Sequence, residues 1–421
     1  MNDANNNFNF ARTGLLNLIL RGLTIISKFV LVFSMSHYLL PKQVGQYSLF
    51  TTTISIAVYI LGMDFYTYNT REILNSDQIG QARLIKDQLV FHGLIYIVAL
   101  PSLALIFLTG TLANQYLIWF YLLLVLEHLS QELNRLLITL ARTTLANLIL
   151  FIRSGIWIYA VALIFLWKQG PRSLEVIWIG WAAGSLTSVV IGVFTLHHLP
   201  WKQAWHYPVD WQWLRTAFFR SLPFFAATMI SNIANNCDRY FIKHYLGDAM
   251  VGVYFFYTSI ATLIVTFVDV SIYQVFYAKI ISLYQNGRRF EYRALIRKVL
   301  LFSLISALGV AIIMALGIKP VLNIFGKKLY RNYLPLFWVL LVNGLLGVGL
   351  MLPSLCLYVR RVDYAFMSVN TLVLIISIGL NILLLPAFGL IGAAYAKLGS
   401  SIVFVIAYGI ILKVVLANET C

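Results

Sequence analysis

Unbroken apolar runs long enough to cross a bilayer recur from one end of this chain to the other. No other feature restricts the fold so strongly. A helix needs roughly 20 apolar residues to span the hydrocarbon core. Such runs lie near 14–36, 44–66, 88–109, 115–138, 144–167, 174–197, 216–236, 250–278, 295–318, 333–358, 364–386 and 390–413. None shows the apolar/polar alternation of a barrel strand, and lipid cannot satisfy an exposed backbone. The expected fold is therefore an all-α integral membrane protein of about twelve transmembrane helices. Only 11% of its residues are charged, against roughly a quarter in soluble chains. The deficit extends over all 421 residues, which excludes a soluble domain on a single anchor. The opening "MNDANNNFNFART" has no basic start or small-residue cleavage site, so the first run is expected to be retained.

One junction is written twice. "HYLLPKQVGQY" at 37–47 and "HYLGDAMVGVY" at 244–254 agree at six of eleven positions, including His37/His244, Gly45/Gly252 and Tyr47/Tyr254. The offset of 207 residues carries the first-to-second helix junction onto the seventh-to-eighth. Six helices is an even number, so the halves enter the membrane in the same direction. That predicts two six-helix lobes related as parallel repeats around a central cavity, a plan found in alternating-access transporters. The expected boundaries are 1–197 for the first lobe, 198–215 for an interfacial linker and 216–421 for the second lobe. The linker region "HHLPWKQAWHYPVDWQWLRTAFFR" holds Trp201, Trp205, Trp211 and Trp213, and tryptophan favours the headgroup level. It reads as an elbow along the cytoplasmic face.

Basic residues set the orientation. With a cytoplasmic N-terminus, the inner segments carry 18 Lys and Arg, the outer segments 9, and the spans themselves 4. The bias places both termini in the cytoplasm. The basic outer loop 319–331 runs against it. Most of the net charge of +16 lies in loops suited to anionic headgroups, such as "NGRRFEYRALIRK". Cys237, Cys356 and Cys421 show neither a pairing pattern nor metal-ligand spacing.

Three stretches resemble the polysaccharide-transport family, the Wzx-type oligosaccharide-lipid flippases of the MOP superfamily. They are "VGQYSLFTTTISIAVYILGMDFYTYNTREI" (44–73), "NNCDRYFIKHYLGDAMVGVYFF" (235–256) and "NILLLPAFGLIGAAYAKLGS" (381–400). The resemblance runs along nearly the whole chain. It implies a carrier for an undecaprenyl-diphosphate-linked oligosaccharide, moved from the inner to the outer leaflet of the bacterial inner membrane. Implied partners are that lipid-linked oligosaccharide, membrane lipids, and the polymerase and chain-length regulator of the surface glycan; nucleic acid is not among them. No cofactor, metal or catalytic residue is expected. The phosphate-loop pattern G-x-x-x-x-G-K-[ST] is missing from the sequence.

Ionisable residues within spans are functional candidates, because burying each there costs about 2.5–3.5 kcal/mol at the helix centre. Arg21 and Lys28 share one face of the first span, two turns apart; snorkelling to the cytoplasmic end explains Arg21 equally well. Lys28 lies about 21 Å in from Gly14, too deep for easy snorkelling. With Arg153 of the fifth span they form a cationic ladder suited to a diphosphate. The alternative for Arg153 is an ion pair with Glu127, and Lys397 near the outer end of the last span is expected to snorkel. Glu127, beside His128 and ahead of Glu132 and Arg135, is a candidate for proton or ion coupling, as is Asp269; a structural ion pair explains Glu127 equally well. Asp64 and the Asp238/Arg239 pair read as gating or structural groups: helix-end caps, or latches between lobes. His37 and His244 read as matched interfacial positions.

Other readings stay open. A cation-coupled drug antiporter would favour an acidic cavity, whereas Arg21, Lys28 and Arg153 outnumber Glu127 and Asp269. A peptidoglycan-precursor lipid flippase also handles a diphosphate, but such proteins usually have two further helices. A membrane glycan polymerase or ligase typically carries a large catalytic outer loop, and the longest outer connection here is short.

Overall fold

A computed structural model describes residues 2–360 and 362–418. Among them there is no strand; the elements are helices. The first nine are α1 (Asn2–Tyr38), α2 (Pro41–Gly62), α3 (Tyr66–Leu74), α4 (Gln78–Leu103), α5 (Leu105–Leu108), α6 (Leu117–Thr139), α7 (Thr143–Phe151), α8 (Trp157–Leu166) and α9 (Leu174–Thr195). After them come α10 (Trp201–His206), α11 (Trp211–Leu246), α12 (Asp248–Val268), α13 (Gln274–Gln285) and α14 (Arg289–Phe325). The chain ends with α15 (Lys328–Asn332), α16 (Leu334–Val359), α17 (Asp363–Phe388) and α18 (Leu390–Asn418). Wider π turns at Ile152–Ile156 and Asp269–Tyr273 join α7 to α8 and α12 to α13, giving continuous spans.

Among the described residues, ten helical stretches are long and apolar enough to cross a membrane. Two of the twelve expected spans fall short on polarity, not on length. α6 carries Glu127, His128, Gln131, Glu132, Asn134 and Arg135, while α11 carries Asp238, Arg239 and Lys243 besides three asparagines. The expected basic loop 319–331 is mostly helix. α14 runs to Phe325, left-handed Gly326 caps it, and α15 follows with Tyr330 buried. Large side chains such as Ile97, Leu108, Ile118, Phe194, Ile313 and Leu316 are exposed, as a lipid-facing surface requires.

The chain divides into two compact units, Met1–Leu39 with Leu49–Met229, and Leu40–Ser48 with Ile230–Cys421. The sequence puts the elbow at 198–215; the division by packing falls inside α11. The reason is local: Leu214 and Ala217 of α11 are buried with Phe65 and Phe91, and Trp213 packs edge-on against Phe65. In the first unit, α1 packs on α7, its π turn and α8, and α6 packs on α9. Phe50, Phe120 and Trp178 form an aromatic centre, with Phe50 and Trp178 ring centroids 4.2 Å apart. In the second unit α18 packs on α16 and α17, and α12 on α16.

The repeated junction is reproduced in geometry. His37 meets Tyr38 edge-on at 4.5 Å, and His244 meets Tyr245 in the same way at 4.9 Å. Residues 40–48 belong to the second unit, where the glycines interlock. A Cβ on Gly45 would collide with the Asp248 carbonyl, and one on Gly252 with the Pro41 carbonyl. Pro41/Asp248 and Gly45/Gly252 each lie 207 residues apart, so the contact is symmetric between the two copies.

Candidate functional site

The first unit gathers the expected cations. Arg21 Nε donates to Asn147 Oδ1 at 3.1 Å, tying α1 to α7. Lys28, two turns along the same helix, is exposed and lies within electrostatic reach of both Arg153 and Glu127. Arg153 occupies the π turn, where an extra residue in the turn redirects side chains. Its Nε lies 3.5 Å from Glu127 Oε2, so the ion pair weighed for Arg153 does form. Glu127 Oε1 also accepts from Trp181 Nε1 at 2.5 Å and from Ser185 Oγ at 3.4 Å. Arg153 Nη1, by contrast, is buried and has no hydrogen-bond partner. One edge of the guanidinium is thus satisfied, and another retains an unused donor.

Glu127 and His128 are sequence neighbours that face different surroundings, as a turn of about 100° per residue demands. His128 is fully buried, bonds to the Tyr96 hydroxyl at 2.7 Å and meets the His92 ring edge-on at 4.7 Å. Glu132 pairs with Arg135 at 2.6 Å and accepts from Gln88 Nε2 at 2.7 Å. Gln88 in turn accepts from Asn69. Sequence reasoning did not find His92, Gln88 or Asn69, because their signal is a polar residue on the buried face of an otherwise apolar helix.

Lys86, which by position falls in the inner segment before the span at 88–109, is only 1% exposed. Its Nζ reaches the carbonyls of Ala204, Tyr207 and Pro208, at 2.8 Å for Tyr207, and lies 3.2 Å from Asp87 Oδ1. Asp87 Oδ2 accepts from the Asp210 amide. The elbow is therefore pinned to α4. Asp64 is buried in the turn after α2, with a positive φ of 48° shared with Met63, and hydrogen-bonds Thr228. That bond ties the turn after α2 to α11 within the first unit.

In the second unit Asp238 is 3% exposed. Its Oδ2 accepts from Tyr254 at 2.6 Å and from Lys397 Nζ at 2.9 Å, and Lys397 also reaches the Asn235 carbonyl at 2.9 Å. This corrects one expectation: Lys397 does not snorkel, because a buried carboxylate 159 residues away holds it. The Arg239 amide donates to Asp238 Oδ1, and its guanidinium lies 5.4 Å from the centre of the Phe255 ring. All of these partners lie in the second unit. Asp269 opens the second π turn and accepts from Gln274 Nε2 at 2.8 Å. Among the described residues no group of His, Cys, Asp and Glu could hold a metal ion.

The sequence matches a family described as Polysaccharide biosynthesis protein over residues 10–277. No curated protein sequence matches it. Among solved structures it is similar to an inward-facing multidrug resistance MATE family transporter of the MOP superfamily, with TM-score 0.72, 14% identity and 93% of this chain and 95% of that chain covered. It is also similar to the lipid II flippase MurJ in an inward closed conformation, with TM-score 0.75, 15% identity and coverage of 95% and 87%. A third relative in fold is a MOP superfamily transporter from Pyrococcus furiosus whose binding pocket is described as having reverse polarity, with TM-score 0.63, 15% identity and coverage of 96% and 95%. This multi-pass membrane protein therefore belongs to the polysaccharide biosynthesis protein family and has the fold of MOP-superfamily transporters.

Proposed function

We propose that the chain is a flippase for an undecaprenyl-diphosphate-linked oligosaccharide, an O-antigen or similar surface-glycan repeat unit. It carries this cargo from the cytoplasmic to the periplasmic leaflet of the bacterial inner membrane by alternating access, with both termini cytoplasmic. The observation that carries the reading is the group Arg21, Lys28 and Arg153 in the first unit, where the Arg153 guanidinium keeps a buried donor without a partner. Such donors suit an anionic diphosphate, to which a guanidinium and an ammonium supply complementary fork and point-charge contacts. Glu127 limits the net positive charge there and, like Asp269, is a candidate for coupling transport to a proton or cation.

The fold likeness to a lipid II flippase favours a second cargo, the peptidoglycan-precursor lipid. The cationic group would serve either one, since both carry a diphosphate. Lys28→Ala tests the shared step. In a strain that depends on this protein for its surface glycan, glycan export is expected to fall at least about tenfold, the equivalent of about 1.4 kcal/mol, at unchanged protein level. Normal surface glycan at normal protein level removes Lys28 from the mechanism. Restoration of growth in a strain lacking its precursor-lipid flippase would select the second cargo.

A further inference from the structure

The second unit encloses a cavity of about 290 Å³ between α11, α12, α16, α17 and α18. It is at the lower limit of small-molecule sites, about 300–1,000 Å³, and far larger than a single ion needs. The charges on its wall cancel, because Asp238 and Lys397 are bonded to each other. An anion such as a phosphate meets no surplus cation there, and a free cation meets the Lys397 ammonium. The wall is more apolar than polar but carries polar residues such as Ser231, Asn343, Asn370, Asn381 and Ser400, which suits an occupant with both apolar faces and polar groups.

Several donors on this wall are already engaged within their own helices. Thr258 and Ser400 donate to the carbonyls four residues back, both at 2.8 Å. Asn370 Nδ2 and Asn381 Nδ2 donate to the Phe366 and Ser377 carbonyls at 2.6 and 2.8 Å. The acceptors are not all used: the Oδ1 atoms of Asn343 and of fully buried Asn381 have no hydrogen-bond partner. An unpaired buried amide oxygen is costly, so an occupant that donates to it is favoured. The complement to this wall is a neutral group rich in O–H or amide N–H donors.

We propose that this cavity is a binding site for a neutral, hydroxyl-bearing sugar residue, with Asn343 and Asn381 as the acceptors that select it. The proposal rests on the flippase reading and deepens it by separating the sugar from the phosphate. The full-length protein in nanodiscs is titrated with two probes, undecaprenyl diphosphate and the same lipid carrying one N-acetylhexosamine. The wild type is expected to bind the glycosylated lipid more tightly. Asn381→Leu is expected to weaken that binding about tenfold, the scale of one lost hydrogen bond, and to leave the bare lipid unaffected. Asn343→Leu, at a partly exposed position, is expected to act in the same direction and covers the case in which Asn381→Leu does not fold. Equal affinity of the wild type for both lipids, or equal weakening of both by Asn343→Leu, overturns the sugar site and leaves the flippase reading standing. A wild type that binds neither lipid overturns both. A sodium titration identifies the remaining rival: sodium binding that Asn343→Leu abolishes, with lipid binding unchanged, would make the cavity a cation site.

Discussion

The two units treat charge in opposite ways. In the first unit the cations Arg21, Lys28 and Arg153 stand with the acid Glu127, and a guanidinium donor of Arg153 is left over. In the second unit Asp238 and Lys397 of the cavity wall pair with each other, and the amide oxygens of Asn343 and Asn381 are left without a hydrogen-bond partner. Two halves built on one plan thus group their charges differently, a cationic cluster in one and a closed ion pair in the other. The shared architecture constrains the backbone, and the chemistry of each half is then set by a few side chains.

This contrast can be broken at several points, with effects of decreasing size. Gly252→Ala strikes what the halves have in common. Its Cβ would overlap the Pro41 carbonyl, and backbone cannot yield as a side-chain tip can. Little or no folded protein is expected by size-exclusion chromatography in detergent, and recovery of the wild-type amount would show that the junction is looser than described. Lys397→Met leaves Asp238 buried without its counter-charge, at an expected cost of about 3–5 kcal/mol. The double variant Asp238→Asn/Lys397→Met should recover most of that in a thermal unfolding assay; if the single and double variants unfold alike, the pair is not a closed unit of charge. Arg153→Met should cost less, about 1–3 kcal/mol, because Trp181 and Ser185 still hold Glu127. Transport should nevertheless fall more than with any second-unit variant of equal stability. Equal loss of transport and stability would make Arg153 merely structural.

Periodicity and spacing in the sequence reveal the membrane-spanning helices and the repeat. They do not reveal the partners that tertiary packing chooses. Asp238 and Lys397 are far apart in the chain, and nothing local to either announces the other. Lys86 reads as a loop cation because it stands just ahead of the span at 88–109, yet the helix turns it inward under the elbow. The same limit applies to the π turn at Arg153. One extra residue in a turn leaves no mark on composition, but it changes where the guanidinium points. Glu127 was found as a buried acid, and its partner was among the alternatives weighed; the tryptophan indole that shares it was not.

The interlocked glycines also bear on how such a duplication can evolve. After a tandem duplication, one copy is ordinarily free to drift while the other keeps the original role. Here the space for Gly45 is bounded by backbone from the second copy, and that for Gly252 by backbone from the first. A side chain acquired at either position is blocked by the other copy's main chain, which no compensating substitution can remove. The two junctions are therefore held alike by mutual exclusion, while the residues around them, such as Pro41 against Asp248, have been free to diverge.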